Sequence, residues 1–195
     1  MTQIILATKS PYRKKFFEEL DIEFTCEGSD VNEDFEDRPQ EPSELVKYLA
    51  KLKSEAVAKN HTSGIIIGFD SVGDFHGEIF EKPKSREEAA NRIRRLSEDS
   101  YKLITGMHMI NLDNGKVLND ISETIIWFRK ISEEEIEKYL NQDPNFNTYA
   151  TGFDPQGYYS CSFASKIEGS YNNFLIGLPC EKIMTMLFEI GYELE

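Results

Sequence analysis

Ile4, Ile5 and Leu6 form an apolar run that leads directly into Ser10-Pro11 and then into Arg13, Lys14 and Lys15. A run without polar alternation suits a strand buried on both faces of a parallel sheet. Ser as N-cap and Pro at the first helical position start a helix immediately after it. This strand-to-helix unit admits few folds besides α/β. The three cations fall in the first helical turns, where the helix N-terminus already carries about half a positive charge. A bound phosphate reverses that cost, because the free N–H groups and the Arg/Lys side chains then share one anion. The alternative is a basic helix face turned to water, and spacing does not separate the two.

The pattern continues along the chain. The first helix, about Pro11 to Leu20, offers Tyr12, Phe16 and Leu20 as a stripe toward the sheet. An acidic loop with Pro39 and Pro42 follows, and a second helix from about Ser43 has Leu45, Leu49, Leu52 and Ala56 as its seam, with Lys53 beside it. Gly64 to Val72 reads as a second apolar strand ending on Asp70. Asp74 to Phe80 reads as a turn or hairpin, and Lys82-Pro83-Lys84 as an extended or loop segment. Ser85 with Glu88 caps a third helix that turns Ala89, Ile93 and Leu96 inward. Strands near Leu103 to Leu112 and Thr124 to Phe128 flank an Asn114-Gly115 turn. Ser132 with Glu135 caps a fourth helix; a Pro-containing loop, the final strands and a helix from Pro179 complete the chain. Strands interleaved with helices predict an α/β fold, a mixed sheet flanked by helices, with residues 1–195 as a single domain or two lobes about a cleft.

Composition narrows the partners. A net charge of −13 argues against a nucleic-acid polymer or an anionic membrane surface, while leaving room for a small anion on local positive charge. Cys26, Cys161 and Cys180 lack metal-ligand spacing and read as buried free thiols in a reducing compartment. No apolar run approaches the ~18–20 residues of a membrane span, and the N-terminus enters a strand without a signal-peptide pattern. A cytoplasmic location follows as the expectation.

Polar residues gathered at strand ends and helix starts are Ser10, Arg13, Lys14, Glu33, Lys53, Asp70 and Lys82. Carboxylates are hard ligands for Mg²⁺ or Mn²⁺, and Lys or Arg neutralise remaining phosphate charge, so the set suits a metal-bound polyphosphate. Asp70 is the most pointed of them, because a carboxylate closing a run of Ile is costly to bury without partners. The histidines His61, His76 and His108 have no metal or triad spacing and read mostly as surface residues, and Met107 and Met109 read as core. Gly-rich phosphate loops are absent from the sequence, so kinase and dinucleotide readings lose their support.

Seven short segments in order then resemble the Maf family over nearly the whole chain. They are Thr8 to Arg13, Ser29 to Glu33, Leu49 to Lys53, Gly68 to Val72, Lys82-Pro83, Thr105-Gly106 and Glu168 to Asn172. The resemblance implies an elongated, inosine-triphosphatase-like sheet, a divalent metal and often a homodimer. It also implies house-cleaning hydrolysis of a nucleoside triphosphate to its monophosphate and pyrophosphate. It puts Glu33 and Asp70 on the metal, Asp70, Lys53 and Lys82 in catalysis, and Ser10, Tyr12, Arg13, Lys14 and Gln156 on the substrate.

The chain departs from the family pattern at Tyr12, where an Arg is usual, and at Tyr149, where a Lys is usual. Those aromatics resemble the branch preferring 7-methyl-GTP, whereas Gln156 resembles the dTTP/UTP branch. Tyr12 or Phe69 is a candidate to stack on the base; packing in the core is the competing role for both. A nucleotide-binding protein with little turnover, acting in cell-division control, is the remaining alternative.

Overall fold

The computed structural model describes residues 2–193. Strand β1 (Ile4–Ala7) leads into helix α1 (Pro11–Glu19), followed by β2 (Phe24–Cys26), α2 (Pro42–Ala58), β3 (Ile65–Phe75) and β4 (Glu78–Phe80). Then come α3 (Arg86–Leu96), β5 (Ser100–Asn111), β6 (Val117–Phe128), α4 (Glu133–Gln142), β7 (Ala164–Glu168), α5 (Tyr171–Ile176) and α6 (Cys180–Ile190). The sheet order is β2-β1-β3-β5-β6-β7, with β4 paired to β3. β1 runs parallel to β2 and β3, and the remaining pairs are antiparallel, so the expected mixed α/β sheet is present.

The register leaves one edge of β3 partly unpaired. β5 accompanies β3 along one edge from Ile65 to Asp74. On the opposite edge, β1 covers Ile65 to Gly68 and β4 covers Gly73 to Phe75. Phe69 to Val72 therefore face no strand on that side. Asp70 sits in this gap, in mid-strand rather than at the strand end that its position after the Ile run suggests, because β5 keeps β3 extended through Asp74.

Helices cover both faces. On one, Phe17 of α1 and Ile183 and Leu187 of α6 pack on Ile65, Ile67 and Phe69. On the other, Leu45, Val46 and Leu49 of α2 meet Val72 and Ile104. Each fully buried residue of this kind contributes roughly 1.5–3 kcal/mol. A separate aromatic cluster, including Phe80, Phe128, Tyr139, Phe153 and Phe163, lies with α3 and α4.

α2 lies almost flush on the sheet. A Cβ on Gly68 would stand 2.1 Å from the Ala50 carbonyl oxygen, and one on Gly106 would stand 2.3 Å from that of Val46. Both contacts are with backbone, so the helix must move to admit a methyl group. Gly68→Ala is expected to cost about 1–3 kcal/mol, read as a lowered urea midpoint. An unchanged midpoint would show that the helix has room.

The close approach also corrects the helix phases. The buried seam of α2 is Leu45, Val46, Leu49, Ala50, Ser54 and Val57, with Leu52 and Ala56 half-buried, and the helix starts at Pro42 with Glu41 as N-cap. In α1 the buried residue is Phe17, with Phe16 and Leu20 only partly covered, so Arg13 one turn earlier faces the sheet. Tyr12 is off that stripe. Both halves of the capping box form at Ser132 and Glu135. β6 starts earlier than its apolar part, at Val117, and α5 is a single short helix where further strand was expected. The cysteines are free but not buried: Cys26 and Cys161 are exposed and Cys180 is half-buried. His108 is 5% exposed rather than on the surface, held by Ser54 Oγ at 2.7 Å from Nδ1. Met107 and Met109 are core residues, as expected. Among the described residues, no helix is long and apolar enough to cross a membrane.

Candidate active site

The strand-edge gap gathers charged groups from distant parts of the chain. Asp70 is 7% exposed, and its side chain points to the α2 face, where Lys53 Nζ donates to Oδ1 at 2.6 Å. The same ammonium lies 3.0 Å from Glu33 Oε1 on the acidic loop. Burial pushes the Asp70 carboxyl above the usual carboxylate range, and the attraction of Lys53 opposes that push. The acidic loop is tied down by Arg38, whose Nη2 lies 2.5 Å from Glu81 Oε1 beside Lys82. The exposed pair of Asp30 on this loop with Lys9, between β1 and α1, carries little energy by comparison.

Arg13 reaches the gap from the opposite face. Its Nε donates to the Gly177 carbonyl at 3.3 Å, Nη1 to that of Phe69 at 3.5 Å and Nη2 to Ser71 Oγ at 2.9 Å. Ser71 is in turn 2.7 Å from Thr105 Oγ1. A guanidinium has five N–H donors, so this triple anchorage leaves two for a ligand. Burial lowers the Arg13 pKa to about 10, and the group stays charged at neutral pH. Gly177 has a left-handed backbone (φ 62°), and a Cβ there would fall 2.8 Å from Ser71 Oγ, so both its conformation and the close contact favour glycine.

Across the cleft mouth, the Tyr12 hydroxyl donates to that of Tyr149 at 2.7 Å, with ring centroids 5.3 Å apart. Burial and this hydrogen bond push the Tyr149 phenol above its usual range. The cleft has two connected parts. One, of about 420 Å³, is lined by Asp70, Ser71, Tyr149 and Lys84. The other, of about 610 Å³, is lined by Thr8, Ser29 and Val31. Ser10, Tyr12, Arg13, Glu33, Lys53 and Lys82 border both. Volumes of this size suit a small-molecule ligand.

Most of the residues picked out from the sequence thus share one cleft, but Lys14 and Gln156 lie outside its lining, and Phe69 borders it with its ring buried. Lys14 is exposed and pairs with Glu18 at 3.6 Å, because one helical turn can aim only one of its adjacent cations at the sheet. Gln156 is exposed and outside the cleft lining, in a turn where its backbone N–H bonds Asp154 Oδ1. Phe69 is fully buried among Ile67 and Met107, with the Arg13 guanidinium 5.2 Å from its ring, so it presents no face to a base. Arg38 and Arg92 escaped the sequence reading, and Ser71 entered it only as part of the Gly68 to Val72 segment, without a role. Only Arg92 left a signal, as a charge beside Ile93 on the apolar side of α3.

The donor set is compatible with a divalent cation. Among the described residues, no three His, Cys, Asp or Glu side chains converge as a closed cage. Glu33 and Asp70 nonetheless converge on one cation position, the Lys53 ammonium. Two carboxylates suit Mg²⁺ or Mn²⁺ where ligand phosphates complete the coordination.

A dTTP/UTP pyrophosphatase of Methanosarcina barkeri is 35% identical over 195 residues, 98% of this chain and 95% of its own. A 7-methyl-GTP pyrophosphatase of Colwellia psychrerythraea is 32% identical over 193 residues, 99% of this chain and 95% of its own. Among solved structures, the Staphylococcus aureus Ham1 protein aligns with 65% of this chain and 71% of its own at 19% identity, with a TM-score of 0.44. The family described as Maf-like protein matches residues 3–190, which include every residue of the cleft, and the chain belongs to that family.

Proposed function

We propose that this chain hydrolyses a nucleoside triphosphate to the monophosphate and pyrophosphate, and that its preferred base is a modified purine such as 7-methylguanine. The observation that carries the reading is the meeting of Asp70, Glu33, Lys53 and Arg13 in the gap on the β3 edge. The relatives named as nucleotide pyrophosphatases support it. Glu33 and Asp70 would hold Mg²⁺ or Mn²⁺, which supplies charge neutralisation on the phosphoryl oxygens. Arg13, Lys53 and Lys82 stabilise the charge that builds on those oxygens as water attacks the α-phosphorus in line. The bond from that phosphorus to the α–β bridging oxygen breaks, pyrophosphate departs with the electron pair, and the attacking water passes a proton to the Asp70 carboxylate or to bulk water. Asp70 serves as a cation ligand, or orients that water. The implied homodimer and cytoplasmic setting belong to the same proposal.

The base preference rests on Tyr12 and Tyr149, which border the cleft and offer aromatic faces to a cationic ring. The Methanosarcina barkeri relative favours a second reading, dTTP or UTP. Pyrophosphate release from 7-methyl-GTP, GTP, dTTP and UTP with Mg²⁺ or Mn²⁺ separates them. The highest kcat/KM is expected for 7-methyl-GTP. A higher value for dTTP or UTP overturns the base assignment, and release from none of them overturns the enzyme reading. Cation–π contacts are worth about 0.5–2 kcal/mol, so Tyr12→Ala should narrow the preference for 7-methyl-GTP over GTP by about 2- to 30-fold.

A further inference from the structure

The loop that carries Lys82 precedes α3 and the loop that carries Tyr149 follows α4, yet one buried side chain holds both. Arg92, on α3, is 7% exposed. Its Nη1 donates to the carbonyl of Glu81, the residue before Lys82, and to the carbonyl of Ala150, the residue after Tyr149, at 2.7 Å. Nη2 donates to Glu88 Oε1 at 2.9 Å, and the guanidinium lies 4.6 Å from the Phe80 ring centroid. Gly152 closes the arrangement: its position, with φ +81°, brings the second loop to Pro83 and to the Arg92 stem.

A charged group on the apolar side of a helix is costly unless its donors are satisfied. An apolar residue would fill the same seam beside Ile93 without that cost. The two carbonyls that Arg92 serves belong to the two walls of the cleft, and neither has a strand neighbour there to fix it.

We propose that Arg92 is a positioning residue that sets the spacing between the Lys82 and Tyr149 walls, and so governs phosphate and base contacts without touching substrate. This rests on the function proposed above, but its first test does not. Hydrogen exchange of the full-length protein without nucleotide reads the walls directly. Arg92→Met should speed exchange at least about tenfold in residues 81–84 and 148–152 while the β3 and β5 amides keep their protection. Arg92→Lys keeps the charge but not the fork, and should give an intermediate increase in the same segments. Unchanged exchange in both variants, or an increase spread evenly over the chain, overturns the proposal; if Arg92→Met fails to fold, Arg92→Lys decides. The second test uses whichever nucleotide the wild type turns over. Arg92→Met should lower kcat/KM about 10- to 100-fold and Arg92→Lys should restore part of it; activity at the wild-type level with loosened walls also overturns the positioning role. Absence of turnover in the wild type would count against the proposed reaction and leave the exchange result to decide on Arg92.

Discussion

Asp70→Asn is expected to lower pyrophosphate release by about 10²-fold or more at saturating Mg²⁺, with the protein still folded. The substitution keeps the shape of the side chain and removes its charge, which a cation or an attacking water requires. Stability should change little. The Asn amide sheds the desolvation cost that pushes the Asp70 carboxyl above its usual range, while Lys53 keeps Glu33 at 3.0 Å. A shift of ~1 kcal/mol corresponds to about 2–4 °C in Tm for a chain of this size. The wild type should also lose kcat/KM as pH falls through the raised pKa of Asp70, and in Asp70→Asn that acidic limb should be missing from the residual activity. Near-normal turnover in this variant, in Mg²⁺ and in Mn²⁺, would remove Asp70 from the mechanism.

What the sequence could and could not reveal follows from the range of the interaction involved. Ser10-Pro11 and Ser132 with Glu135 obey rules that operate within one helical turn, and both act as caps in the folded chain. Asp70 was recognisable because a carboxylate after three isoleucines is anomalous in itself. Its place in mid-strand was not, because the length of β3 is set by pairing with β5, from Ile65 with Asn111 to Asp74 with Lys102, far along the chain. Likewise, adjacent apolar residues such as Phe16 and Phe17 leave the phase of a helix open by one position. Packing decides it: the Gly68 and Gly106 contacts set α2, and the sheet selects Phe17 in α1. Arg13, Lys14 and Lys15 look alike in sequence. Only Arg13 meets Ser71 and Gly177, which lie 58 and 164 residues away. The separation of Gln156 from the cleft is a matter of loop path, on which residue type has no bearing.

The largest stability effect is expected at Lys53. Its side chain is 13% exposed and that of Asp70 is 10%, so their pair is screened far less than the contact to Glu33, which is 48% exposed. Removing one partner of a buried pair costs about 3–5 kcal/mol, because the other charge is left uncompensated. Lys53→Met keeps an unbranched apolar stem on the sheet side of α2 and deletes the ammonium, so the cost isolates the charge. The pH dependence has a definite sign. Burial already raises the Asp70 pKa above 3.8, and loss of Lys53, the first influence opposing that rise, raises it further. A carboxyl whose folded pKa exceeds its unfolded one lends stability that is fully present below the unfolded value and is lost as pH rises through the folded value. The penalty in Lys53→Met should therefore be largest at pH 8 and smaller at pH 5, shrinking as pH falls through the raised pKa of Asp70, below which the protonated carboxyl no longer needs a partner. Urea unfolding of wild type and variant at the two pH values measures this. Lys53→Met combined with Asp70→Asn should regain most of the stability at pH 8 without regaining pyrophosphate release, since the coupling is between two groups in contact. A penalty equal at both pH values, or larger at pH 5, would mean that the Asp70 carboxylate does not depend on Lys53, and the site would then be held by the anchorage of Arg13 instead.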